Sequence, residues 1–179
     1  LNATLRNNII FDKPYDDTLF SQVIAACALA VDIAALPAGV ETEIGERGIN
    51  LSGGQKARVS LARALYNQAD IYLLDDPLSA VDAHVADHLF HQAVLAHLKA
   101  SNKAVVLVTH QVHFLPYCDK VLVLGSNGHV QFQGTYTELT KRTDIDINYI
   151  NNGKETEESE TQEEDQSKAA KGDSGDTTK

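Results

Sequence analysis

The stretch Leu51-Ser52-Gly53-Gly54-Gln55 determines how the rest of the sequence is interpreted. Ser52 is followed three residues later by Gln55 and then by an apolar-periodic run over 56–66, the form of a capping box at a helix start. Gly53 and Gly54 fall in the first turn, where each glycine costs about 1 kcal/mol relative to alanine. The two glycines are explained if an anion approaches the backbone amides closely, since these amides lie at the positive end of the helix dipole. The pattern predicts a phosphate-facing helix N-terminus, with an ordinary glycine-rich turn as the alternative.

Two apolar runs predict buried strands that end in polar side chains. The run 71–74 (Ile-Tyr-Leu-Leu) leads into Asp75 and Asp76, and the run 104–108 leads into Thr109 and His110. Because neither run alternates with polar residues, we expect both strands to be buried on both faces, as in a parallel sheet covered by helices. Ligands bind at the carboxyl ends of such strands. The predicted fold is therefore α/β, with candidate site residues at this edge.

The remaining segments complete the predicted element order. We expect an extended or irregular stretch over 1–11, helices beginning near 16–18, over 32–36, from 55 to about 67, and from Ser79 or Asp82, a hairpin of 121–124 with 129–133, and a short helix over 135–140. His84, His88 and His91 share one helical face, but no carboxylate or cysteine shell accompanies them, so we assign no metal there.

Composition separates a globular part from a tail. The net charge is −10, and residues 150–179 hold nine acidic and four basic residues. This tail lacks aromatic residues, so we predict a disordered acidic linker over 141–179. Cys27 and Cys118 are isolated among apolar neighbours, which indicates buried thiols in a reducing compartment. The apolar stretch 23–36 is too short to span a bilayer. We expect neither a membrane span in this chain nor a nucleic-acid partner.

These motifs together resemble the ABC transporter ATPases over roughly residues 1–140. In that resemblance, 51–55 is the LSGGQ signature, 71–76 the Walker B strand, 79–82 the D-loop and His110 the switch histidine. Three stretches look specifically like the first nucleotide-binding domain of the multidrug-resistance-associated (C) subfamily. They are 2–6 (Asn-Ala-Thr-Leu-Arg), 45–50 (Gly-Glu-Arg-Gly-Ile-Asn) and 74–83 (Leu-Asp-Asp-Pro-Leu-Ser-Ala-Val-Asp-Ala).

The resemblance implies ATP and Mg2+ as cofactors and a role for each motif. Asp75 would ligate Mg2+, through a water, since Mg2+ keeps several waters when it bridges nucleotide phosphates. Asp76 and His110 would be catalytic, with His110 on the γ-phosphate and the attacking water. The signature residues Leu51, Ser52, Gly53, Gly54 and Gln55, together with Asp82, would contact ATP.

The resemblance also implies a P-loop NTPase-like fold and an organisation. Residues 1–50 would be the remainder of a helical signature subdomain, 51–140 the core with its C-terminal hairpin, and 141–179 the linker. The partners implied are the second nucleotide-binding domain of the transporter, in a head-to-tail dimer, and membrane domains contacted through the helical subdomain and the Gly45–Gly48 loop. The location implied is the cytoplasmic face of a membrane.

Two features qualify the expected activity. The chain opens in mid-pattern, and no Gly-x-x-x-x-Gly-Lys-Ser/Thr phosphate loop or Q-loop glutamine occurs in it, so we expect a fragment of a longer exporter that is inactive alone. Asp76 stands where active family members have glutamate, which leaves a non-hydrolysing regulatory module as an alternative. An SMC/Rad50-type chromosome ATPase also carries a signature helix, but those chains contain long coiled coils and this one has no heptad run.

Overall fold

A computed structural model describes residues 2–45 and 49–145. They form two compact units, one up to Thr109 and one from His110 onward, and each is described by itself. Residues 46–48 of the predicted partner-contacting loop and residues 146–179 of the predicted tail lie outside the described residues. Within those described, no helix has both the length and the apolar character needed to cross a membrane.

The first unit alternates short strands with helices. Its elements are β1 (Ala3–Thr4), α1 (Leu5–Ile10), α2 (Asp17–Ala26), α3 (Ala30–Ala35), a 3-10 turn (Gly39–Glu41), β2 (Glu43–Ile44), α4 (Gly53–Tyr66), β3 (Ile71–Asp75), α5 (Ala83–Leu89) with a π-helical continuation (Phe90–Lys99), and β4 (Ala104–Val108). β1 pairs antiparallel with β2, and β3 pairs parallel with β4. The parallel pairing confirms the predicted strand arrangement, with Ile71 opposite Ala104 and Asp75 opposite Val108.

The prediction that β3 and β4 are buried on both faces is wrong for the described structure. Tyr72 and Leu74 are buried, but Ile71 and Leu73 on the opposite face are 65% and 77% exposed. In β4, Val106 and Val108 are also exposed. The reason is that these two strands pair only with each other among the described residues, and the π-helical continuation packs near β4 on one side. An unbroken apolar run indicates that both faces of a strand could be buried, but it does not identify the elements that pack against each face.

The N-terminal stretch is helical, which corrects the prediction of an extended or irregular segment. Thr4 caps α1 by accepting a hydrogen bond from the Asn7 amide at 3.1 Å. Asn8 is buried, and its side chain donates to the Ala3 and Thr4 carbonyls. The Asn8 carbonyl in turn accepts from the Arg63 guanidinium of α4. A six-residue helix is marginal alone, so packing against α4 and the Arg63 contact stabilise it in addition to these local hydrogen bonds.

Helix α4 occupies the centre of the first unit. Its buried side chains are Val59, Leu61, Ala62, Leu65 and Tyr66, and both α1 and α2 pack against it. The Tyr66 hydroxyl donates to the Pro14 carbonyl at 2.8 Å and accepts from the Asp16 amide at 2.7 Å. Asp16 is itself the N-cap of α2, and this helix start lies within the predicted 16–18. Burial along one side of α4 therefore fixes the position of its N-terminal turn.

The long helix after β3 begins at Ala83 with Asp82 as its N-cap, which selects Asp82 over Ser79 as the residue that opens it. On its inner face Ala86, Leu89, Phe90, Ala93 and Val94 are all buried. On the histidine face, His88 Nε2 lies 3.0 Å from the Ala25 carbonyl oxygen of α2.

The second unit is a hairpin with a short helix. It contains a 3-10 segment (Val112–Tyr117), β5 (Val121–Leu124), β6 (Val130–Gly134) and α6 (Tyr136–Leu139). Val121, Phe132 and Leu139 form its buried cluster. The predicted hairpin is confirmed, and Gly128 takes the left-handed backbone of its connection at φ 76°. Thr135 and Glu138 form a capping box at α6.

Neither cysteine forms a disulfide within the part of the chain that the structure describes, and the two differ in environment. Cys27 is completely buried in the first unit, and this burial raises the pKa of its thiol to about 12. Cys118 is half-buried in the second unit and packs against that unit's apolar cluster. Burial is thus confirmed for Cys27 and only partial for Cys118.

Candidate functional site

The start of α4 has the predicted capping box. The Ser52 hydroxyl accepts from the Gln55 amide at 3.2 Å, and the Gln55 side-chain oxygen accepts from the Ser52 amide at 2.9 Å. Ser52 is the N-cap, so α4 begins at Gly53. Ser52 and Gly53 are exposed, whereas Leu51, Gly54 and Gln55 are half-buried. The capped turn therefore presents its first residues to solvent.

The two glycines of this turn face different surroundings. Among the described residues, no atom lies within 4 Å of a methyl group added at Gly53. A methyl group added at Gly54 would lie 2.8 Å from the Ala80 carbonyl oxygen and 3.4 Å from Val81 Cγ1. Since 2.8 Å is shorter than a Cβ contact with backbone tolerates, Gly54 is where the predicted D-loop approaches the helix. The first glycine leaves open space, and the second allows backbone contact within the domain.

The carboxylate of Asp32 on α3 also contacts residues at the start of α4. Asp32 Oδ1 accepts from Gln55 Nε2 at 2.9 Å, and Asp32 Oδ2 lies 2.7 Å from Arg58 Nη1. Asp32 Oδ2 has no hydrogen-bond partner among the described residues, so this second contact is an ion pair, and Nη1 donates a hydrogen bond to the Ala28 carbonyl at 2.7 Å. Asp32 and Arg58 were not among the predicted site residues. The sequence signal for them is an acid inside an otherwise apolar stretch.

The two acidic residues after the apolar run lie at the carboxyl end of β3. Asp75 is the last residue of the strand and is exposed, while Asp76 is half-buried. Asp76 has a left-handed backbone at φ 42°, and its amide donates to the Val108 carbonyl at 3.0 Å. Non-glycine residues seldom adopt this region, and such positions concentrate at functional sites. The neighbouring strand β4 thus orients Asp76 directly.

The D-loop residues continue from this edge back to the signature turn. The Asp76 carbonyl accepts from the Ser79 hydroxyl at 2.9 Å. Asp82, predicted to bind the cofactor, is exposed, and its carboxylate accepts from the Val85 amide at 3.0 Å as the N-cap of α5. Between Ser79 and Asp82 lies the Ala80 carbonyl that approaches Gly54. The described first unit therefore brings the signature turn and the D-loop into contact.

His110, the predicted switch histidine, belongs to the second unit. It follows β4 by two residues and is exposed. Its contact with the γ-phosphate stays a prediction from the sequence.

Comparison with known proteins places these motifs in one family. A family model described as ABC transporter matches residues 4–79. "ATP-binding cassette sub-family C member 2" of Mus musculus is 51% identical over 144 residues, 80% of this chain and 9% of that protein. "ABC transporter C family member 12" of Dictyostelium discoideum is 55% identical over 139 residues, 78% of this chain and 10% of that protein. "Multidrug resistance protein mrp-7" of Caenorhabditis elegans is 50% identical over 149 residues, 83% of this chain and 10% of that protein.

The chain belongs to the ABC transporter family and corresponds to its ATPase domain. Within that family it is a nucleotide-binding domain of subfamily C, the multidrug-resistance-associated group. The chain spans about a tenth of the length of the curated relatives it matches.

The contrast between the two glycines gives a stability prediction. Gly53→Ala adds a methyl group in open space and removes a glycine from a helix, so it should raise the free energy of unfolding by up to about 1 kcal/mol. Gly54→Ala forces the Ala80 carbonyl to move, and overpacking of this kind costs about 1–3 kcal/mol, so the net effect should be destabilising. Urea denaturation of the two variants of the domain measures both. Equal stabilisation by the two substitutions would contradict the D-loop contact.

Proposed function

We propose that this chain belongs to the first nucleotide-binding domain of a multidrug-resistance-associated exporter, in which ATP binding joins two such domains head to tail and hydrolysis separates them. The observation that carries the proposal is the open space at Gly53 in a capped, solvent-facing helix turn. In a head-to-tail dimer, this turn faces the γ-phosphate of ATP held by the second domain. The domain then contributes its signature turn to the nucleotide site of the second domain (the shared site), and its strand-end residues to its own nucleotide site.

The chemistry of the capped turn suits a phosphate. The Ser52 hydroxyl already accepts one hydrogen bond from the Gln55 amide, and its own proton remains available to donate to an anion. The backbone of Gly53 carries no side chain that excludes a phosphate oxygen. Fixed donors at the positive end of a helix stabilise the charge that develops in phosphoryl transfer. Leu51 and Gln55, both half-buried, anchor the two ends of this donor group.

The domain's own site would use the strand-end residues. Asp75 has an exposed carboxylate, the hard oxygen donor that Mg2+ prefers, so this residue fits a magnesium ligand. Mg2+, when bound with nucleotide, would neutralise phosphate charge. Asp76 would orient the attacking water, and His110 would donate to the γ-phosphate. Asp82 would act from the D-loop, where its carboxylate also caps α5.

The proposed partners follow from the family and from the chain's position in it. The second nucleotide-binding domain would meet the signature and D-loop side. Membrane domains would meet the helical region, α1 to α3, and the Gly45–Gly48 loop. The parent would accordingly sit at a membrane, with this domain on its cytoplasmic face. The domain boundaries proposed remain 1–50, 51–140 and 141–179.

A non-hydrolysing regulatory module is the second candidate function, and Asp76 is the observation that favours it. Aspartate is one methylene shorter than the glutamate of active family members. A catalytic group misplaced by about 1 Å can lose on the order of 100-fold in rate. We therefore propose an asymmetric parent, in which this domain's own site holds ATP and turns it over slowly while the shared site carries most of the turnover.

The chain as given should not hydrolyse ATP, because its sequence contains no phosphate-binding loop to hold the β- and γ-phosphates near Asp75. Phosphate release from Mg-ATP by the purified chain is the measurement, with the Asp75→Ala variant as the control for contaminating activity. Turnover that disappears with Asp75→Ala would show that another phosphate site exists in this chain.

Gly53→Asp in the full-length parent should abolish most ATP turnover. The substitution places a negative side chain where phosphate approaches, and its Cβ would meet no atom of the described residues within 4 Å. Steady-state ATPase activity in membranes is the measurement. Gly53→Ala serves as the control for the added Cβ alone. If Gly53→Asp is silent while Asp76→Ala removes nearly all turnover, the assignment of the two sites is reversed.

Asp76→Glu should raise hydrolysis at this domain's own site by about tenfold or more, because it restores the missing methylene. The measurement is ATP turnover in a parent whose second site has been disabled. Glutamate tolerates the left-handed backbone at φ 42° less well than aspartate, so the stability should fall by about 1 kcal/mol at the same time. Unchanged hydrolysis in a folded Asp76→Glu variant would favour the regulatory module.

A further inference from the structure

A half-hidden cluster of polar side chains joins α3 to the first two turns of α4. Asp32 contacts Gln55 Nε2 at 2.9 Å and Arg58 Nη2 at 3.4 Å through Oδ1, and Arg58 Nη1 at 2.7 Å through Oδ2. The Asp32 and Arg58 side chains are only 17% and 14% exposed. Arg58 also reaches the Ala28 carbonyl at 2.7 Å and the Gly54 carbonyl at 3.4 Å. The cluster therefore touches the signature turn itself.

We propose that Asp32 is a positioning residue for the signature turn, acting through the orientation of the Gln55 side-chain amide. An ionised carboxylate accepts hydrogen bonds and donates none, so it requires the NH2 end of the Gln55 amide to face α3. The oxygen end of the same amide is then left to accept from the Ser52 amide at 2.9 Å. Asp32 thereby selects the one amide orientation that completes the capping box.

Arg58 makes this arrangement compatible with an incoming anion. Its guanidinium is always charged and neutralises the Asp32 carboxylate, which lies one side chain away from the turn proposed to face phosphate. The same guanidinium holds the Ala28 carbonyl, where the chain turns between α2 and α3 with Ala28 at φ 51°. Asp32 and Arg58 together hold α3 against the signature turn.

This inference rests on the proposed function of the signature, so its test reads the two nucleotide sites separately. A photoreactive ATP analogue is trapped with vanadate in the full-length parent, and the label on each nucleotide-binding domain is measured after the two halves are separated by proteolysis. Because the signature faces nucleotide held by the second domain, Asp32→Ala should lower label on the second domain by about tenfold. Label on this domain should change by less than about twofold.

Two further variants make the result specific. Asp32→Asn replaces one carboxylate oxygen with an NH2 group and removes the charge. Its remaining oxygen can still accept from Gln55 Nε2, and Arg58, which only donates, favours that orientation, so the variant should restore at least half of the second-domain label. Glu41→Ala removes the more exposed Arg6–Glu41 ion pair of the same unit, at 2.7 Å, and should leave both labels unchanged. Rescue by Asp32→Asn alongside a silent Glu41→Ala supports a positioning role.

The opposing outcomes are distinct. Equal loss of label on both domains in Asp32→Ala, without rescue by Asp32→Asn, would overturn the inference and leave Asp32 a purely structural residue. Loss of second-domain label in Gly53→Asp but not in Asp32→Ala would overturn the inference and keep the proposed function. No effect of Gly53→Asp on second-domain label would overturn both.

Discussion

A helix whose N-terminus faces solvent leaves its first backbone amides without intrahelical partners, and this constraint governs the signature turn. The capping box satisfies two of these amides with Ser52 and Gln55. Two glycines in the same turn oppose helix formation by about 1 kcal/mol each. Besides the capping box, the buried side of α4 and the Asp32 and Arg58 contacts stabilise this turn. An exposed and pre-formed donor group results.

The two glycines of the signature motif meet two different physical requirements. A methyl group added at Gly53 would have no described atom within 4 Å, and this open space suits an external ligand. Gly54 meets the backbone of the D-loop, which suits internal contact. The Ala80 carbonyl therefore lies close against the first turn of α4. Asp76, Ser79 and Ala80 connect the end of β3 to this turn through direct contacts.

The sequence predicted those elements whose signals are local. The capping box at Ser52, the parallel strands and the Asp16 cap all depend on neighbouring residues, and all are confirmed. Helix α1 was missed because its stability comes from Asn8 and Arg63, which are 55 positions apart. The prediction that both faces of β3 are buried is wrong because the apolar pattern of a strand does not identify the elements that pack against it. The Asp32 contact was missed for the same reason as α1, since Gln55 lies 23 positions away.

Asp76 shows how a strand end can be specialised without a change of fold. Its amide bonds to the carbonyl of Val108 on β4, and its carbonyl accepts from Ser79, so the backbone is held at both sides in the left-handed region. Aspartate is one of the few non-glycine residues that occasionally adopt this region. A longer acid at this position gains reach but loses backbone preference. The aspartate therefore fits the backbone conformation that brings Ser79 to the Asp76 carbonyl and Ala80 beside Gly54.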